Sequence, residues 1–257
     1  MTSFWGFSMP DLELTLKQLH LPTVNAHYRE FADEARREEL SYEEYLDGLM
    51  DREIEHRRNT RTERWLRDSR LPLEKSLENF DQSRLPAKIR TAVSMLLEGS
   101  FLDRAENVLA FGNPGSGKTH LLAGVAQELI HRGHRVLFQS CQLLVQDLLA
   151  AKQELILGKA LKRLRRYEAV IIDDIGYVQQ DRAEMEVLFA LLADRYENRS
   201  VMITSNLPFS KWESIFKDPM TTAAAIDRLV HHSIILELNL PSYRLEAAKI
   251  DQQGGDG

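Results

Sequence analysis

Residues 112–119 constrain the fold of this chain more than any other stretch, because they fit the phosphate-binding pattern G-x-x-x-x-G-K-[ST]. An apolar run at 107–111 predicts a short buried strand before them, and helical periodicity continues over 120–131. Strand, glycine-rich loop and helix are the context in which this pattern binds a nucleotide. The predicted nucleotide-binding residues are Gly112, Asn113, Pro114, Gly115, Ser116, Gly117, Lys118, Thr119 and His120.

The residue types in this loop have separate tasks. Glycine adopts positive φ and lets phosphates approach the main chain, while the helix N-terminus adds the positive end of its dipole. We expect Lys118 to reach the β- and γ-phosphates of ATP and Thr119 to offer its hydroxyl to Mg²⁺. An ordinary glycine-rich turn before Lys-Thr is the alternative, and the predicted flanking strand and helix argue against it.

An acidic pair follows a second apolar run. Residues 169–172 predict a buried strand, and Asp173 and Asp174 come directly after it. Ligands of open α/β sheets bind at the carboxyl ends of strands. We therefore expect Asp173 to hold Mg²⁺ through its water shell and Asp174 to orient or polarise the attacking water. A strand that ends in an acidic turn is the alternative.

Three further polar residues are candidates for the same site. Asn206 follows a predicted strand at 200–204, and it could bind the γ-phosphate and the lytic water, like the sensor residue of AAA+ ATPases, or cap a turn. In that fold the sensor strand lies between the strands that carry the phosphate loop and the acidic pair. Arg228, in a predicted helix at 222–232, fits an arginine finger that reaches the γ-phosphate of a neighbouring subunit. Arg244 could be a second sensor, and a surface salt bridge competes for both arginines. Phe80, ahead of the first strand, is a candidate for base contact or for the core.

The net charge of −6 does not indicate a nucleic-acid-binding protein, so DNA contact depends on local basic clusters. Two clusters have helical spacing, and the second has fewer acids beside it. Either could neutralise phosphates of double-stranded DNA in a salt-sensitive way, or could be a solvated helix face. The candidate residues are Arg57, Arg61 and Arg64 in the first cluster, and Lys159, Lys162, Arg163 and Arg166 in the second.

The chain is predicted to have a helical N-terminal domain at 1–75, an ATPase domain at 76–245 and a disordered tail at 246–257. Ser41 and Glu44 have the spacing of a capping box, which predicts a helix start. No apolar run approaches the ~20 residues of a membrane span. The first ten residues lack the basic residue of a signal peptide, and a single cysteine, Cys141, excludes an internal disulfide. We therefore expect a cytoplasmic protein.

The chain resembles the IstB-like helper ATPases of bacterial insertion-sequence transposition, which are relatives of the DnaC helicase loader. The resemblance covers nearly the whole chain. It is carried by Ser-Arg-Leu-Pro at 69–72, Glu-Asn-Phe-Asp at 78–81, the phosphate loop with its flanks at 111–120, Ile-Ile-Asp-Asp-Ile-Gly-Tyr at 171–177, Ile-Thr-Ser-Asn-Leu-Pro-Phe at 203–209 with Trp212, Asp-Arg-Leu at 227–229 and Ser-Tyr-Arg-Leu at 242–245.

The resemblance implies an α/β AAA+ P-loop NTPase, a three-layer sandwich with a parallel sheet, preceded by a small all-α domain and without the usual C-terminal lid. It implies ATP-dependent self-oligomerisation on DNA with ATP sites at subunit interfaces, and recruitment or stimulation of a cognate transposase. In many AAA+ proteins a glutamate follows the first acid, whereas Asp174 is one methylene shorter, so hydrolysis is expected to be slow. A replicative helicase loader and a non-catalytic, nucleotide-gated scaffold are the alternative functions.

Overall fold

The computed structural model describes residues 9–176, 182–212 and 219–243. The chain divides into two compact units, Met1–Arg64 and Trp65–Gly257. The predicted boundary is at residue 75, and the boundary between these units lies at 64/65. The reason is that Trp65, Leu66 and Leu71 pack in a core of the second unit. The predicted tail at 246–257 lies outside the described residues.

The described part of the first unit is helical. Its helices are α1 (Met9–Gln18), α2 (Pro22–Arg37) and α3 (Tyr42–Asp68), and the last turn of α3 belongs to the second unit. The predicted capping box is confirmed, since the Ser41 amide donates to Glu44 Oε2 at 2.8 Å and the Glu44 amide donates to Ser41 Oγ at 3.2 Å. The small core of this unit contains Leu16, Val24, Tyr28 and Leu49.

Glu53 of α3 is a buried carboxylate that caps α2. Its Oε2 accepts hydrogen bonds from the amides of Thr23 and Val24 at 2.8 and 3.2 Å, and its Oε1 accepts from Arg57 Nε at 2.8 Å. Burial alone raises the pKa of Glu53, but the hydrogen bonds from Arg57, Val24 and Thr23 outweigh it, so the pKa lies below its usual value. The ionised carboxylate therefore joins α2 to α3.

We expect Glu53→Gln to lower the free energy of unfolding of the first unit by about 1–3 kcal/mol at pH 7, because charge-assisted hydrogen bonds are lost. Since the folded pKa is lowered, this contribution is fully present above the unfolded pKa of about 4.3 and disappears as pH falls through the folded pKa. Thermal melts of variant and wild type should differ at neutral pH and converge in acid. Glu55→Gln, at an exposed site on the same helix, is the control. An equal destabilisation of Glu53→Gln at neutral and acidic pH would contradict the role of the ionised carboxylate.

The second unit contains a five-stranded parallel sheet with the order β2-β3-β4-β1-β5. Val108 and Ala110 of β1 face one hydrophobic core and Leu109 faces the other, so helices cover both faces. The predicted α/β three-layer architecture is confirmed, including the position of β4 between β1 and β3. The strands are β1 (Asn107–Gly112), β2 (Val136–Ser140), β3 (Ala169–Asp173), β4 (Ser200–Ser205) and β5 (Ser233–Leu238).

The described helices of the second unit either precede β1 or connect the strands. They are α4 (Ala87–Leu97), α5 (Ser100–Asp103), α6 (Lys118–His131), α7 (Cys141–Gln153), α8 (Leu157–Leu164), α9 (Arg182–Arg195) and α10 (Pro219–Val230). The last residue of α9, Arg195, is buried, and its guanidinium donates to the carbonyls of Leu164, Tyr167, Glu168 and Ser200. Burial lowers the pKa of Arg195 to about 9, so the side chain stays charged at pH 7 and ties the start of β4 to the chain before β3.

Candidate nucleotide-binding site

The phosphate loop connects the carboxyl end of β1 to the amino end of α6. Gly112 has φ +154° and Gly115 has φ +79°, and both are closely approached. A Cβ atom would lie 2.2 Å from the Leu238 carbonyl oxygen at Gly112, and 2.1 Å from Ser242 Oγ at Gly115. A side chain at Gly112 would therefore collide with the end of β5, and a side chain at Gly115 would collide with the segment after β5.

Lys118 is buried although it is charged, with 5% of its surface exposed. Its Nζ donates to the carbonyls of Gly112 and Asn113, both at 2.9 Å. These contacts hold the ammonium across the loop, where a phosphate group would meet it. A buried lysine needs acceptors of this kind, because an uncompensated charge is costly to bury.

The acidic pair lies beside the phosphate loop. Asp173 Oδ1 accepts hydrogen bonds from Thr119 Oγ1 at 2.8 Å and from Thr204 Oγ1 at 2.6 Å. The amide of Asp174 donates to the same Thr204 hydroxyl at 2.8 Å, and the Asp174 residue is exposed. Hard oxygen ligands such as Thr119 and Asp173 suit Mg²⁺. Thr204 was not predicted as a site residue. The one feature of the sequence that could have indicated its role is a hydroxyl near the end of an apolar strand.

Two buried polar atoms at this site lack a hydrogen-bond partner in the part of the chain that the structure describes. They are Ser116 Oγ in the phosphate loop and Asn206 Oδ1, directly after β4. Buried polar atoms in native proteins are nearly always paired, so both atoms fit a polar ligand. With the amide oriented this way, Asn206 Oδ1 can accept a hydrogen bond from a water molecule beside the γ-phosphate.

A cavity of about 310 Å³ brings the predicted residues together. Lys118, Thr119, Asp174 and Asn206 line it, as do Pro114, Gly115, Ser116, Gly117 and His120 of the predicted set. Three predicted residues are not in the described lining but contact lining residues. The carbonyls of Gly112 and Asn113 bind Lys118, and Asp173 binds Thr119. Phe80, a candidate for base contact, also lines the cavity. The remaining lining residues were not predicted as site residues: Lys75, Asn79, Asp81, Arg84, Leu240, Pro241 and Tyr243.

Residues 75–84 contribute a wall of the cavity, and this wall is anchored on α6. Ser76 offers its carbonyl to His120 Nε2 at 2.8 Å, and Lys75 offers its carbonyl to Gln127 Nε2 at 3.2 Å. The Phe80 ring packs edge-on against the His120 ring, with 5.2 Å between their centroids. Phe80 also packs against the hydrophobic core, which is one of its two predicted roles, and it lines the cavity.

Arg228 lies elsewhere in the unit. Its guanidinium is 4.6 Å from the centre of the Phe189 ring, and its Nη1 donates to the Ala224 carbonyl at 3.4 Å. It is not among the described residues that line the cavity. Arg244, the other candidate arginine, lies outside the described residues.

The second basic cluster borders a groove. Lys159, Lys162 and Arg163 are exposed on α8, whose Leu164 packs in the core, whereas Arg166 is exposed but follows the end of the helix. The predicted one-helix stripe is therefore shorter than the spacing suggests. A groove of about 860 Å³ runs beside α8. Its charged lining residues are Arg67, Asp68, Arg70, Asp147, Glu154, Lys159 and Arg163.

The first basic cluster has a structural member. Arg57 donates to buried Glu53 and to the His20 carbonyl, so its guanidinium stabilises the first unit. Arg61 and Arg64 are exposed further along α3. Among the described residues, no helix is long and apolar enough to cross a membrane.

Comparison with known proteins gives a consistent family. A model of the family described as IstB-like ATP binding protein matches residues 14–250. An insertion-sequence ATP-binding protein of Sinorhizobium fredii is 42% identical over 238 residues, which are 92% of this chain and 80% of that protein. The ATP-binding protein of insertion sequence IS21 from Pseudomonas aeruginosa is 37% identical over 238 residues, 93% of this chain and 90% of that protein.

Solved structures share the fold at low sequence identity. AMPPCP-bound DnaA from Aquifex aeolicus aligns with a TM-score of 0.55 and 21% identity over 72% of this chain. This chain spans only 56% of that DnaA chain. The DnaC helicase loader aligns with a TM-score of 0.55 and 18% identity, over 64% of this chain and 96% of the loader. These likenesses support the AAA+ architecture of the second unit.

Proposed function

This chain belongs to the family of IstB-like ATP-binding proteins of insertion sequences, and we propose that it is an ATP-hydrolysing helper of an insertion-sequence transposase. In this proposal it oligomerises on double-stranded DNA when ATP is bound, and it recruits or stimulates the transposase. The observation that carries the proposal is the convergence of Lys118, Asp174 and Asn206 on one cavity beside the Thr119–Asp173 pair.

The residues of the cavity suit ATP and a magnesium ion. Lys118 would bind the β- and γ-phosphates, and Thr119 and Asp173 would hold Mg²⁺, which would neutralise charge on the phosphates. Thr204 keeps Asp173 in place through its hydroxyl. The same geometry supports the predicted binding roles of the loop residues.

Asp174 and Asn206 act on the attacking water in this proposal. Both line the cavity, and Asn206 Oδ1 is a buried acceptor without a partner in the described chain. Asp174 accepts a hydrogen bond from the water and orients it toward the γ-phosphorus, and Asn206 accepts a second. The water oxygen forms the new bond to phosphorus as the bond to the β-γ bridging oxygen breaks, and the proton that the water loses passes to Asp174 and then to solvent, which gives ADP and phosphate.

Arg228 completes the site of a neighbouring subunit in this proposal. The phosphates need a further cation as charge develops on them, and AAA+ proteins supply it from an arginine finger. Arg228 is absent from the described lining of its own cavity, which is consistent with action on a neighbour. ATP then lies at a subunit interface, and its binding favours assembly because two subunits share one ligand.

DNA binding is assigned to the groove beside α8. Lys159 and Arg163 line it together with Arg67 and Arg70, so basic residues from two distant stretches meet there. Asp68, Asp147 and Glu154 line the same groove and moderate its charge. Contacts between basic side chains and phosphates do not distinguish one base from another. The affinity for double-stranded DNA therefore depends on the salt concentration rather than on the DNA sequence.

We expect the triple variant Lys159→Gln, Lys162→Gln, Arg163→Gln to weaken ATP-dependent DNA binding and reduce its salt dependence. Each phosphate contact that is lost makes the slope of log K against log salt shallower by about 0.9, or about 2.7 for three contacts. Fluorescence anisotropy of labelled duplex DNA at increasing salt measures the slope. Lys88→Gln, at an exposed site on α4, is the control. An unchanged slope in the triple variant would remove α8 from the DNA interface.

The proposed partner is a transposase because the relatives are proteins of insertion sequences. A pull-down with the full chain, ATP and DNA distinguishes the possible partners. Retention of an insertion-sequence transposase supports the proposal, and selective retention of a replicative helicase supports a loader instead. If ATP induces no salt-sensitive DNA binding at all, the chain is a nucleotide-gated scaffold.

A further inference from the structure

We infer that Glu197, His231 and His232 form a binding site for a divalent metal ion of the Zn²⁺ class. One ligand atom from each side chain lies within 4.8 Å of the other two, and all three residues are exposed. Two imidazoles and a carboxylate are a ligand set that zinc uses in proteins. Bonds of about 2 Å place the ligands of a tetrahedral zinc roughly 3.3 Å apart, so small side-chain rotations are enough to close the site.

The two histidines project from a backbone that hydrogen bonds hold in place. The carbonyl of His232 accepts from the Asn107 amide at 2.7 Å, at the start of β1. The amide of His231 donates to the Asp227 carbonyl at 3.0 Å, at the end of α10. An ion therefore has to order only the side chains, which keeps the entropic cost of binding low.

The turn that carries Glu197 is equally constrained. Asn198 donates its amide to the Arg195 carbonyl and its side-chain nitrogen to the Tyr196 carbonyl, both at 2.9 Å. The Tyr196 hydroxyl lies 3.3 Å from His231 Nδ1. An outer hydrogen-bond partner of this kind orients a metal-ligating histidine and sets its tautomer.

The cluster differs from ordinary surface pairs of histidine and glutamate. His131 lies 3.9 Å from Glu128, and His27 lies 3.5 Å from Glu30, but each is a pair on one helix. Within residues 9–176, 182–212 and 219–243, only the Glu197 cluster brings three such ligands together. Three protein ligands leave a fourth position for water, and the exposed setting allows it.

A bound ion would join two connections at the end of the sheet where β4 and β5 begin. Glu197 precedes β4, and the two histidines lie between α10 and β5. The same helix α10 carries Arg228. The ion would thus fasten the C-terminal end of the helix that holds the proposed arginine finger, and the site is separate from the nucleotide cavity.

The test is metal binding to the full chain, prepared without a polyhistidine tag and measured without nucleotide or DNA. Excess Mg²⁺ occupies Thr119 and Asp173, and Zn²⁺ is titrated by calorimetry while Co²⁺ is followed by its visible absorption. We expect one ion per chain and a higher melting temperature with Zn²⁺. The double variant His231→Asn, His232→Asn should weaken Zn²⁺ binding at least about tenfold. This lower bound is the loss that follows mutation of a residue that hydrogen-bonds to a metal ligand. His131→Asn should bind like wild type.

Glu197→Gln is a second variant that keeps the side-chain shape, and it should also weaken binding if its carboxylate is a ligand. Melting without metal checks that each variant is folded. Saturable binding that both the double variant and Glu197→Gln retain would overturn the site, and so would a wild-type chain with no saturable Zn²⁺ binding. Because no ATP or DNA is present, either result leaves the proposed ATPase function intact.

Discussion

Arg228→Ala should lower ATP turnover on DNA on the order of a thousandfold, while ATP still binds to the isolated chain. The reason is that an arginine finger stabilises charge in the transition state and contributes little to ground-state binding. ATP turnover is measured by phosphate release with saturating duplex DNA, and ATP affinity by calorimetry. The two readouts separate a lost finger from a damaged binding site.

Two controls accompany this variant. Arg228 stacks on Phe189, so thermal melting must show that the alanine variant keeps its fold. Arg182→Ala removes an arginine whose side chain is 95% exposed on α9, and it should turn over ATP like wild type. If Arg228→Ala hydrolyses ATP normally, Arg228 has a structural role only and the finger lies elsewhere.

Asp174→Asn should lower ATP hydrolysis by at least about 100-fold, because a positioned base contributes roughly 10²–10⁴ to such reactions. ATP and DNA binding should remain, since Asp173 and Thr119 keep their contact and the carboxamide fits the same space. The variant should therefore accumulate on DNA with ATP bound. Assembly is followed by light scattering, and hydrolysis by phosphate release.

Asp174→Glu tests the length of the side chain at the same position. Many AAA+ proteins have the longer glutamate here, so this variant should hydrolyse ATP faster than wild type and leave DNA sooner. Unchanged turnover in Asp174→Asn would remove Asp174 from the mechanism. Slower turnover in both variants would show that the shorter acid suits this particular cavity.

The inner strands of the sheet were predictable from sequence because they are buried on both faces. Such strands appear as short apolar runs, and the predicted strand at 169–172 lies within β3. The polar residues that end them, including Asp173 and Asn206, were predictable for the same reason. The predicted position of β4 between β1 and β3 came from the likeness to AAA+ ATPases, since apolar runs do not specify which strands pair.

Contacts between distant residues were not predictable. Thr204 supports Asp173 across 31 positions, and Glu53 caps α2 across 30 positions to Thr23. Local spacing encodes neither contact, because each depends on how complete elements pack. Arg57 shows the consequence: its helical spacing indicates a DNA-binding stripe, while its hydrogen bonds give it a role in the fold.

Most residues of the cavity wall at 75–84 were not predicted as site residues, for a related reason. Apart from Phe80 and the family motif at 78–81, this stretch has no pattern that indicates a binding site, and its position depends on contacts with α6. Gly124 is the clearest case, because a Cβ atom there would lie 2.9 Å from the Leu77 amide nitrogen. A glycine within a helix does not by itself indicate a binding site. Here the missing side chain leaves room for the segment around Leu77, which belongs to the wall of the cavity.

Mixing two inactive variants tests most directly whether one subunit completes the ATP site of the next. Asp174→Asn and Arg228→Ala are combined in equal amounts with DNA and ATP. An Arg228→Ala subunit retains Asp174 and can receive Arg228 from an Asp174→Asn neighbour. Random head-to-tail pairing should restore about a quarter of wild-type hydrolysis. A mixture no more active than either variant alone would contradict a shared site.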